Sequence, residues 1–180
     1  MTKILLYIHD EDIFNLMEKV AKESDYEVLR IDDSYLNMRL GELFLEKNNS
    51  YNNHSYINDY LFMSGLTTED LIDYLNKLRE LGLDFEGIKV METDTNKEWL
   101  LEEVMKETEK EHQVMQKINI LQALMRSCNE MDLSVASDKL KKNLMNAYLL
   151  LQSGEISLEA VNEAINGIME ALKEEKRQVS

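Results

Sequence analysis

Apolar positions in the first 100 residues fall into two similar series, each a short apolar block, a helical stripe and a second short block. The stripes place apolar residues three and four positions apart, which is typical of amphipathic helices, whereas the short blocks are typical of β-strands. The first series comprises 5–8, 13–20 and 26–29, and the second comprises 61–63, 71–78 and 88–91. Each series leads into an Asn-led helix start, at residues 37–40 and 96–99. The pattern predicts a duplicated strand–helix–strand–short helix unit.

Two βαβ units of this kind can interdigitate into one four-stranded sheet with its helices on one face. We therefore expect an α+β fold with a ferredoxin-like sheet, in which a pseudo-twofold axis relates the two copies. The strands at residues 4–8 and 60–63 are expected at the centre of the sheet. Strands that alternate with helices are also typical of a parallel, doubly wound α/β sheet, which is the alternative.

Helix ends in this chain must be set by capping residues, because proline is absent. The segments Thr67–Asp70 and Thr95–Glu98 both have the Ser/Thr-x-x-acid form of a capping box, so two helices are expected to start there. The Asn-rich stretch at residues 47–55 lacks periodicity and is predicted to be a surface loop. Loops of this length are often disordered or functional, and the side chains to watch are Tyr51, His54 and Tyr56.

The last part of the chain is predicted to be helical. Residues 97–128 contain neither Gly nor Pro, and the middle of this stretch is mostly charged, as in helices that bridge two bodies through solvent. We therefore predict a duplicated α/β domain at residues 1–113 and a helical hairpin domain at residues 114–180. The hairpin has two apolar stripes, Leu133, Ala136, Leu140, Leu144, Ala147, Tyr148 and Leu151, and Leu158, Val161, Ile165, Ile168, Met169 and Leu172.

Two helices alone bury little apolar surface. The hairpin must therefore pack on residues 114–125, on the first domain or on another chain. Its Leu- and Met-rich stripes favour binding of a protein partner or formation of a homodimer through the C-terminal helices.

The charge of the chain is unevenly distributed. Residues 1–113 hold 26 of the 35 acidic and 12 of the 20 basic residues, for a net charge of −14, whereas residues 114–180 have a net charge of −1. The negative electrostatic field of residues 1–113 repels phosphate backbones, so we expect no nucleic-acid partner. No apolar run approaches the length of a membrane span, and a single cysteine, Cys128, cannot form an internal disulfide. These features predict no membrane association and a cytoplasmic protein.

A metal site is one candidate chemistry. His9, Asp10 and Asp12 follow directly on the first strand, where sites form in open α/β sheets, and could hold a divalent cation. Acidic residues in the first turn of a helix are also favoured by the helix dipole alone. Glu109 and His112 form a Glu-x-x-His pair, but a di-iron site requires a second such pair, which the sequence lacks.

A small-ligand site is the second candidate chemistry. At the end of the second copy, Thr93, Thr95, Asn96 and Trp99 span a strand-to-helix junction, and Lys89 precedes them. A small anion could bind to Thr93, Asn96 and the free N–H groups of a helix N-terminus. In the structural alternative Thr95 caps the helix, Asn96 turns the chain and Trp99 packs against the sheet. The chain has no Gly-rich phosphate loop and no Cys-x-x-Cys motif.

Residues of the second copy resemble a bacterial domain family of unknown function. The resemblance is carried by residues 61–66, 69–71, 111 and 112, and by Lys89, Thr93, Thr95, Asn96 and Trp99. Members of that family resemble this chain in placing a Lys, a Thr-x-x-Asn and a Trp across a strand-to-helix junction. The first copy, with residues 40–43, is also similar, so that the resemblance covers residues 3–112. One departure is Asp94, where the family pattern implies Pro.

The resemblance implies a small α/β domain in a bacterial cytosol. No activity follows from it. The leading hypothesis is therefore a regulatory or protein-interaction protein without catalytic activity. The alternative is a small-ligand- or metal-dependent sensor or enzyme that uses the strand-end loops. The sequence does not identify a cofactor.

Overall fold

A computed structural model of the chain describes residues 2–131 and 136–178. Leu133, which belongs to a predicted apolar stripe, lies outside these described residues. The strands are β1 (Lys3–Tyr7), β2 (Glu27–Arg30), β3 (Tyr60–Ser64) and β4 (Ile88–Met91). The helices are α1 (Glu11–Glu23), α2 (Leu40–Leu43), α3 (Thr68–Glu80), α4 (Leu101–Asn129), α5 (Asp138–Gln152) and α6 (Leu158–Gln178), and short 3-10 turns lie at Asp33–Tyr35 and Asn96–Glu98.

The four strands form one open sheet in the order β2-β1-β3-β4. The α+β class is confirmed, and β1 and β3 are the central strands as predicted. The two βαβ units do not interdigitate, however. Each unit joins two neighbouring parallel strands, and the units meet side by side along the antiparallel pair β1–β3. The antiparallel central pair also makes the all-parallel, doubly wound alternative wrong.

Helices cover both faces of the sheet, so the expectation of helices on one face is wrong. Helices α1 and α3 pack on one face, against a core that includes Ile4, Leu6, Leu61 and Met63. Helix α2 and the start of α4 pack on the other face, against a core that includes Leu5, Tyr7, Tyr60 and Phe62. Consecutive residues of β1 and β3 are apolar and buried, and a strand that is apolar on both faces needs cover on both.

The duplication is visible in the strand register and in the caps. The parallel pairs start at equivalent residues, Lys3 opposite Glu27 and Tyr60 opposite Ile88. Helices α1 and α3 are equally long, and their N-caps Asp10 and Thr67 each accept a backbone N–H of the first turn. The capping box predicted at Thr67 is confirmed, since Asp70 accepts the Thr67 N–H in return.

The segments that follow β2 and β4 also match, and we name residues 31–43 and 92–104 the first and second exit segments. They exchange two backbone hydrogen bonds, from Leu40 N to Trp99 O (3.0 Å) and from Leu101 N to Met38 O (2.8 Å). This reciprocal pair aligns Met38 with Trp99. The sequence alignment of Asn37 with Asn96 was therefore wrong by two residues.

The predicted start of a long helix near Lys97 is also wrong. Asn96–Glu98 forms a 3-10 turn, Trp99 is extended, and the helix begins at Leu101. Thr95 makes no side-chain capping bond to the turn that follows it. The Leu100 N–H instead donates to Glu103 Oε2 (2.9 Å), which satisfies a backbone group that the start of α4 leaves open.

The chain divides into two compact units, residues 1–109 and residues 110–180. In the second unit, α5 and α6 form the predicted hairpin, and Ser157 caps α6 by accepting the Ala160 N–H (3.2 Å). Leu121 and Cys128 of α4 are buried together with Leu140, Ala147, Val161, Ile165, Ile168 and Ala171. The hairpin is therefore completed by the 110–129 part of α4. Across the described residues, no helix is both long and apolar enough to cross a membrane.

Candidate functional site

The residues predicted to bind a metal already have partners within the chain. Asp10 is the N-cap of α1, and its Oδ1 accepts the N–H groups of Asp12 and Ile13 at 2.9 and 3.0 Å. Both ring nitrogens of His9 face oxygen acceptors, Nδ1 at 2.6 Å from Asp59 Oδ1 and Nε2 at 2.8 Å from the Tyr56 carbonyl O. The side chains of His9 and Asp10 therefore have structural roles, whereas Asp12 contributes only its backbone N–H to these bonds, and a metal at this position stays a prediction.

Acidic and histidine side chains elsewhere in the described residues do not group into a metal site. Within residues 2–131 and 136–178, no three His, Cys, Asp or Glu side chains are placed to hold a metal ion. Glu109 accepts hydrogen bonds from Tyr60 OH and Asn58 Nδ2, both at 2.7 Å, and His112 Nε2 contacts Gln116 Nε2 at 2.9 Å. Glu109 and His112 therefore each contact a different set of side chains within the chain.

The strand-to-helix junction of the second copy is a closed turn. Thr93 N–H donates to Asn96 Oδ1 (2.7 Å), Asn96 N–H donates to Thr93 Oγ1 (3.1 Å), and Asn96 Nδ2 donates to the Met91 carbonyl O (2.9 Å). Thr93 and Thr95 are exposed, and Trp99 retains 38% of its exposed area. The reciprocal bonds of Thr93 and Asn96 explain their pairing in the sequence without a ligand.

The backbone donors that an anion would need are also engaged. The N–H groups of Leu101 and Glu102, at the start of α4, donate to Met38 O and Leu36 O. Lys89 does not join the junction, because its ammonium donates to the Phe85 carbonyl O (2.7 Å) and lies 5.0 Å from the Phe85 ring centroid. Burial lowers the pKa of Lys89. An anion site at this junction stays a prediction.

The structure instead gathers polar and aromatic side chains at the carboxyl ends of β1 and β2. We name this group, Tyr7, His9, Arg30, Asp32, Tyr51 and His54, the strand-end cluster. The chain between α2 and β3, residues 44–59, folds over it and is named the covering loop. Tyr51, His54 and Tyr56, singled out from the sequence, all lie on this ordered loop, whereas Arg30 and Asp32 were not predicted.

Asp32 holds the covering loop in place. Its side chain is fully buried, and it accepts hydrogen bonds from Ser34 N and Oγ, from Ser50 Oγ and from Asn52 N at 2.5–2.9 Å. Burial acts to raise the pKa of Asp32, but the hydrogen bonds from Ser34, Ser50 and Asn52 outweigh it, so the pKa lies below its usual value. Asp32 is therefore a buried carboxylate that ties the loop to the end of β2.

Arg30 lies beneath the covering loop. Its guanidinium carbon lies 4.1 Å from the Phe14 ring centroid on one side and 3.4 Å from the Tyr51 ring centroid on the other. Nη1 pairs with Glu11 Oε2 at 2.7 Å. The side chain retains only 8% of its exposed area, yet Nε and Nη2 have no hydrogen-bond partner among the residues that the structure describes.

The rings of His54 and Tyr7 contact each other within the strand-end cluster. Their centroids lie 4.4 Å apart in an edge-on arrangement, and the His9 ring lies 5.2 Å from the His54 ring. Burial lowers the pKa of His54, and the nearby His9 lowers it further. Burial also raises the pKa of Tyr7, whose hydroxyl donates to Asp33 Oδ1 (2.7 Å). Tyr7 therefore stays protonated at neutral pH and is not available as a general base.

The second unit presents a different kind of surface. An apolar groove of about 450 Å³ lies between α4 and α5, lined by Met125, Asn129, Lys141, Leu144, Met145 and Tyr148. We name it the α4–α5 groove. Met145, Tyr148 and the neighbouring Leu149 each retain more than half of their exposed area. Large apolar side chains grouped in this way mark interaction surfaces more often than isolated ones do.

The chain matches one described family. Residues 59–115 match the model of a domain of unknown function, DUF3783. The match spans β3, α3, β4, the second exit segment and the first part of α4, so it covers the second copy and leaves the first copy and the helical hairpin unmatched. Comparisons with curated proteins and with solved structures found no significant match.

Proposed function

We propose that this chain is a cytoplasmic, non-catalytic protein-interaction protein that associates with a second copy of itself through the α4–α5 groove. The observation that supports the proposal is the exposed apolar surface of that groove, centred on Met145 and Tyr148. The alternative, a metal- or ligand-dependent sensor or enzyme using the predicted strand-end residues, has less support because the side chains of His9, Asp10, Thr93 and Asn96 have partners within the chain.

The charge distribution favours a second copy as the occupant of the groove. The first 113 residues carry a net charge of −14, so two copies repel each other over this part of the surface. The remaining residues have a net charge of −1, which makes the helical unit the part on which two copies can meet without a large electrostatic cost. An acidic partner protein would meet the same repulsion from the first unit.

The outward stripe of α5 is also self-complementary. Lys141, Met145, Tyr148, Leu149 and Gln152 follow each other at helical spacing and are all exposed. If two α5 helices packed antiparallel about a twofold axis, Met145 would face Tyr148 of the other copy, and Lys141 would face Gln152. Such an interface buries apolar groups at its centre and brings no two like charges together, as a stable isologous contact requires.

Light scattering on a size-exclusion column tests this proposal. We expect a mass of twice the 21.1 kDa chain at micromolar concentrations. The double substitution Met145→Lys and Tyr148→Lys should raise the dimer dissociation constant by at least about tenfold, since it places charge at the centre of the contact. Both positions are exposed, so the variant should fold normally, which circular dichroism verifies.

Asn146→Lys is the matched control. Asn146 is exposed on the same helix, and the substitution adds one positive charge where the double variant adds two, but its side chain lies outside the α4–α5 groove. This variant should remain dimeric. A wild-type chain that is monomeric at about 100 μM, or equal dissociation of the control and the double variant, would show that the groove does not bind a second copy.

A further inference from the structure

The buried guanidinium of Arg30 presents one unused edge. A guanidinium has five N–H donors, and its Nε and Nη2 groups point in parallel along one edge that matches the two oxygens of a carboxylate. In this chain Glu11 engages only Nη1, and the opposite edge has no acceptor within the described parts of the chain. Buried charged donors are usually satisfied, so an empty edge of this kind points to a missing acceptor.

The surroundings of Arg30 fix the direction of this edge. The Phe14 and Tyr51 rings lie 4.1 and 3.4 Å from the guanidinium carbon, so hydrogen bonds are left to the edges of the group, and the Nε and Nη2 edge is buried under this packing. The backbone of Arg30 is also held, because its N–H donates to Asn49 Oδ1 (2.7 Å) and its carbonyl accepts from Ser50 N (3.1 Å). A ligand would therefore meet a preorganised fork and not a mobile surface arginine.

Tyr51, on the covering loop, is the exposed one of the two rings that contact the guanidinium. The Tyr51 ring retains nearly half of its exposed area, and its hydroxyl donates one hydrogen bond, to the His9 carbonyl O (3.1 Å). Asp32 anchors the adjacent residues Ser50 and Asn52. Movement of Tyr51 away from the guanidinium would break this one hydrogen bond and leave the bonds of Ser50 and Asn52 to Asp32 in place.

We propose that the Nε and Nη2 edge of Arg30 binds the carboxylate of a small molecule, with Tyr51 as a cover over the bound group. The site is separate from the α4–α5 groove, and nothing in it depends on self-association. Glu11 retains 56% of its side-chain exposure, so its charge is screened by water and opposes a bound carboxylate only weakly. Affinity for a minimal carboxylate should nevertheless be modest, because residues 1–113 are strongly acidic.

Nitrogen-15 NMR of the arginine Nε–H groups tests this site with acetate as the probe. The Arg30 signal, assigned by its loss in Arg30→Lys, should shift saturably with an apparent dissociation constant on the order of millimolar. Sodium chloride at the same ionic strength and the neutral isostere acetamide should not produce this shift. Arg79→Lys, at an exposed arginine paired with Asp84, is the matched control and should leave the titration unchanged.

Two results would overturn the proposal. A linear response, or one equal to that of chloride, would show that acetate acts only as a general anion. An equal response to acetamide would show that the edge accepts neutral carbonyl groups and does not select carboxylates. Both readings come from the wild-type chain. If Arg30→Lys fails to fold, the Arg30 Nε–H signal is assigned in the wild type by through-bond correlation to the Arg30 backbone, so the test still stands.

Discussion

The two exit segments occupy equivalent places in the fold and have different surroundings. The reciprocal bonds between residues 38–40 and 99–101 align Asp32 of the first segment with Thr93 of the second. Both side chains accept a backbone N–H a few residues further along. Asp32 caps the 3-10 turn Asp33–Tyr35 by accepting Ser34 N, and Thr93, two residues before the N-cap of the turn Asn96–Glu98, accepts Asn96 N. Asp32 is fully buried beneath the covering loop, whereas Thr93 is exposed.

This difference shows how a duplicated unit can acquire a distinct site. In the second copy one acceptor is enough, and the neutral hydroxyl of Thr93 accepts the Asn96 N–H. The first copy carries a carboxylate, which also accepts from Ser50 and Asn52 of the covering loop. A buried carboxylate is stable only with such donors, so the loop and Asp32 depend on each other. The enclosed cluster forms at the first exit segment and not at the second.

The largest expected effect comes from Asp32→Asn. The substitution removes the charge and turns an N–H₂ group of the buried side chain toward the donors from Ser50 and Asn52, which then lose their acceptor. We expect the free energy of unfolding to fall by about 2–4 kcal/mol. Urea denaturation followed by circular dichroism measures it.

The equivalent change in the second copy is Thr93→Val, which keeps the shape and removes the acceptor. Because Thr93 is exposed, the loss should be only about 0.5–1 kcal/mol. Equal losses for the two variants would contradict the view that the covering loop makes Asp32 different from its counterpart.

The local elements of this fold were predictable from the sequence, because the apolar spacing of the strands and helices is a property of neighbouring residues. The arrangement of the strands was not. Continuous apolar runs such as Ile4–Ile8 signal strands buried on both faces, and this signal argues against helices on one face only. Which strand edges meet depends on pairing between distant residues, such as Leu5 with Phe62, that no local pattern encodes.

The strand-end cluster was only partly predictable for a similar reason. Aromatic and histidine residues in an otherwise polar loop drew attention to Tyr51 and His54. Asp32 and Arg30, in contrast, read as ordinary polar residues at the end of a strand. Their partners Ser50, Asn52 and Tyr51 lie about 20 residues further along the chain. A buried charge is recognised by its partners, and these become neighbours only when the loop folds back.

A smaller loss of stability is expected at the helix N-caps, where the two copies remain alike. Asp10 and Thr67 cap the equivalent helices α1 and α3. Asp10→Ala and Thr67→Ala should each reduce the free energy of unfolding by about 1 kcal/mol, whereas Asp10→Ser should be nearly neutral because serine retains the cap. Thermal unfolding in the presence of a chelator measures the three variants. If Asp10→Ser were as damaging as Asp10→Ala, the carboxylate of Asp10 would have a role beyond capping.

The smallest effect should be a pH dependence that is confined to the first copy. Burial lowers the pKa of His54 below its ordinary value of 6.5, and His9 adds to this, while Asp32 and Asp33 oppose it. Between the lowered pKa and 6.5 the unfolded chain binds more protons than the folded chain. The contribution of His54 to the free energy of unfolding therefore falls as the pH falls from 7 to 5.

His54→Gln removes this titrating group and should reduce the slope of the unfolding free energy against pH over that range. Urea midpoints of the wild type and the variant, measured at intervals of half a pH unit, give the two slopes. Asp32 does not contribute here, because its pKa is lowered from an ordinary value of 3.8 and it is ionised in both states above pH 5. Parallel slopes would mean that the covering loop leaves His54 as accessible to protons as it is in the unfolded chain. In that case the covering loop would shield Asp32 from water but would not shield His54, the other titrating residue considered in the strand-end cluster.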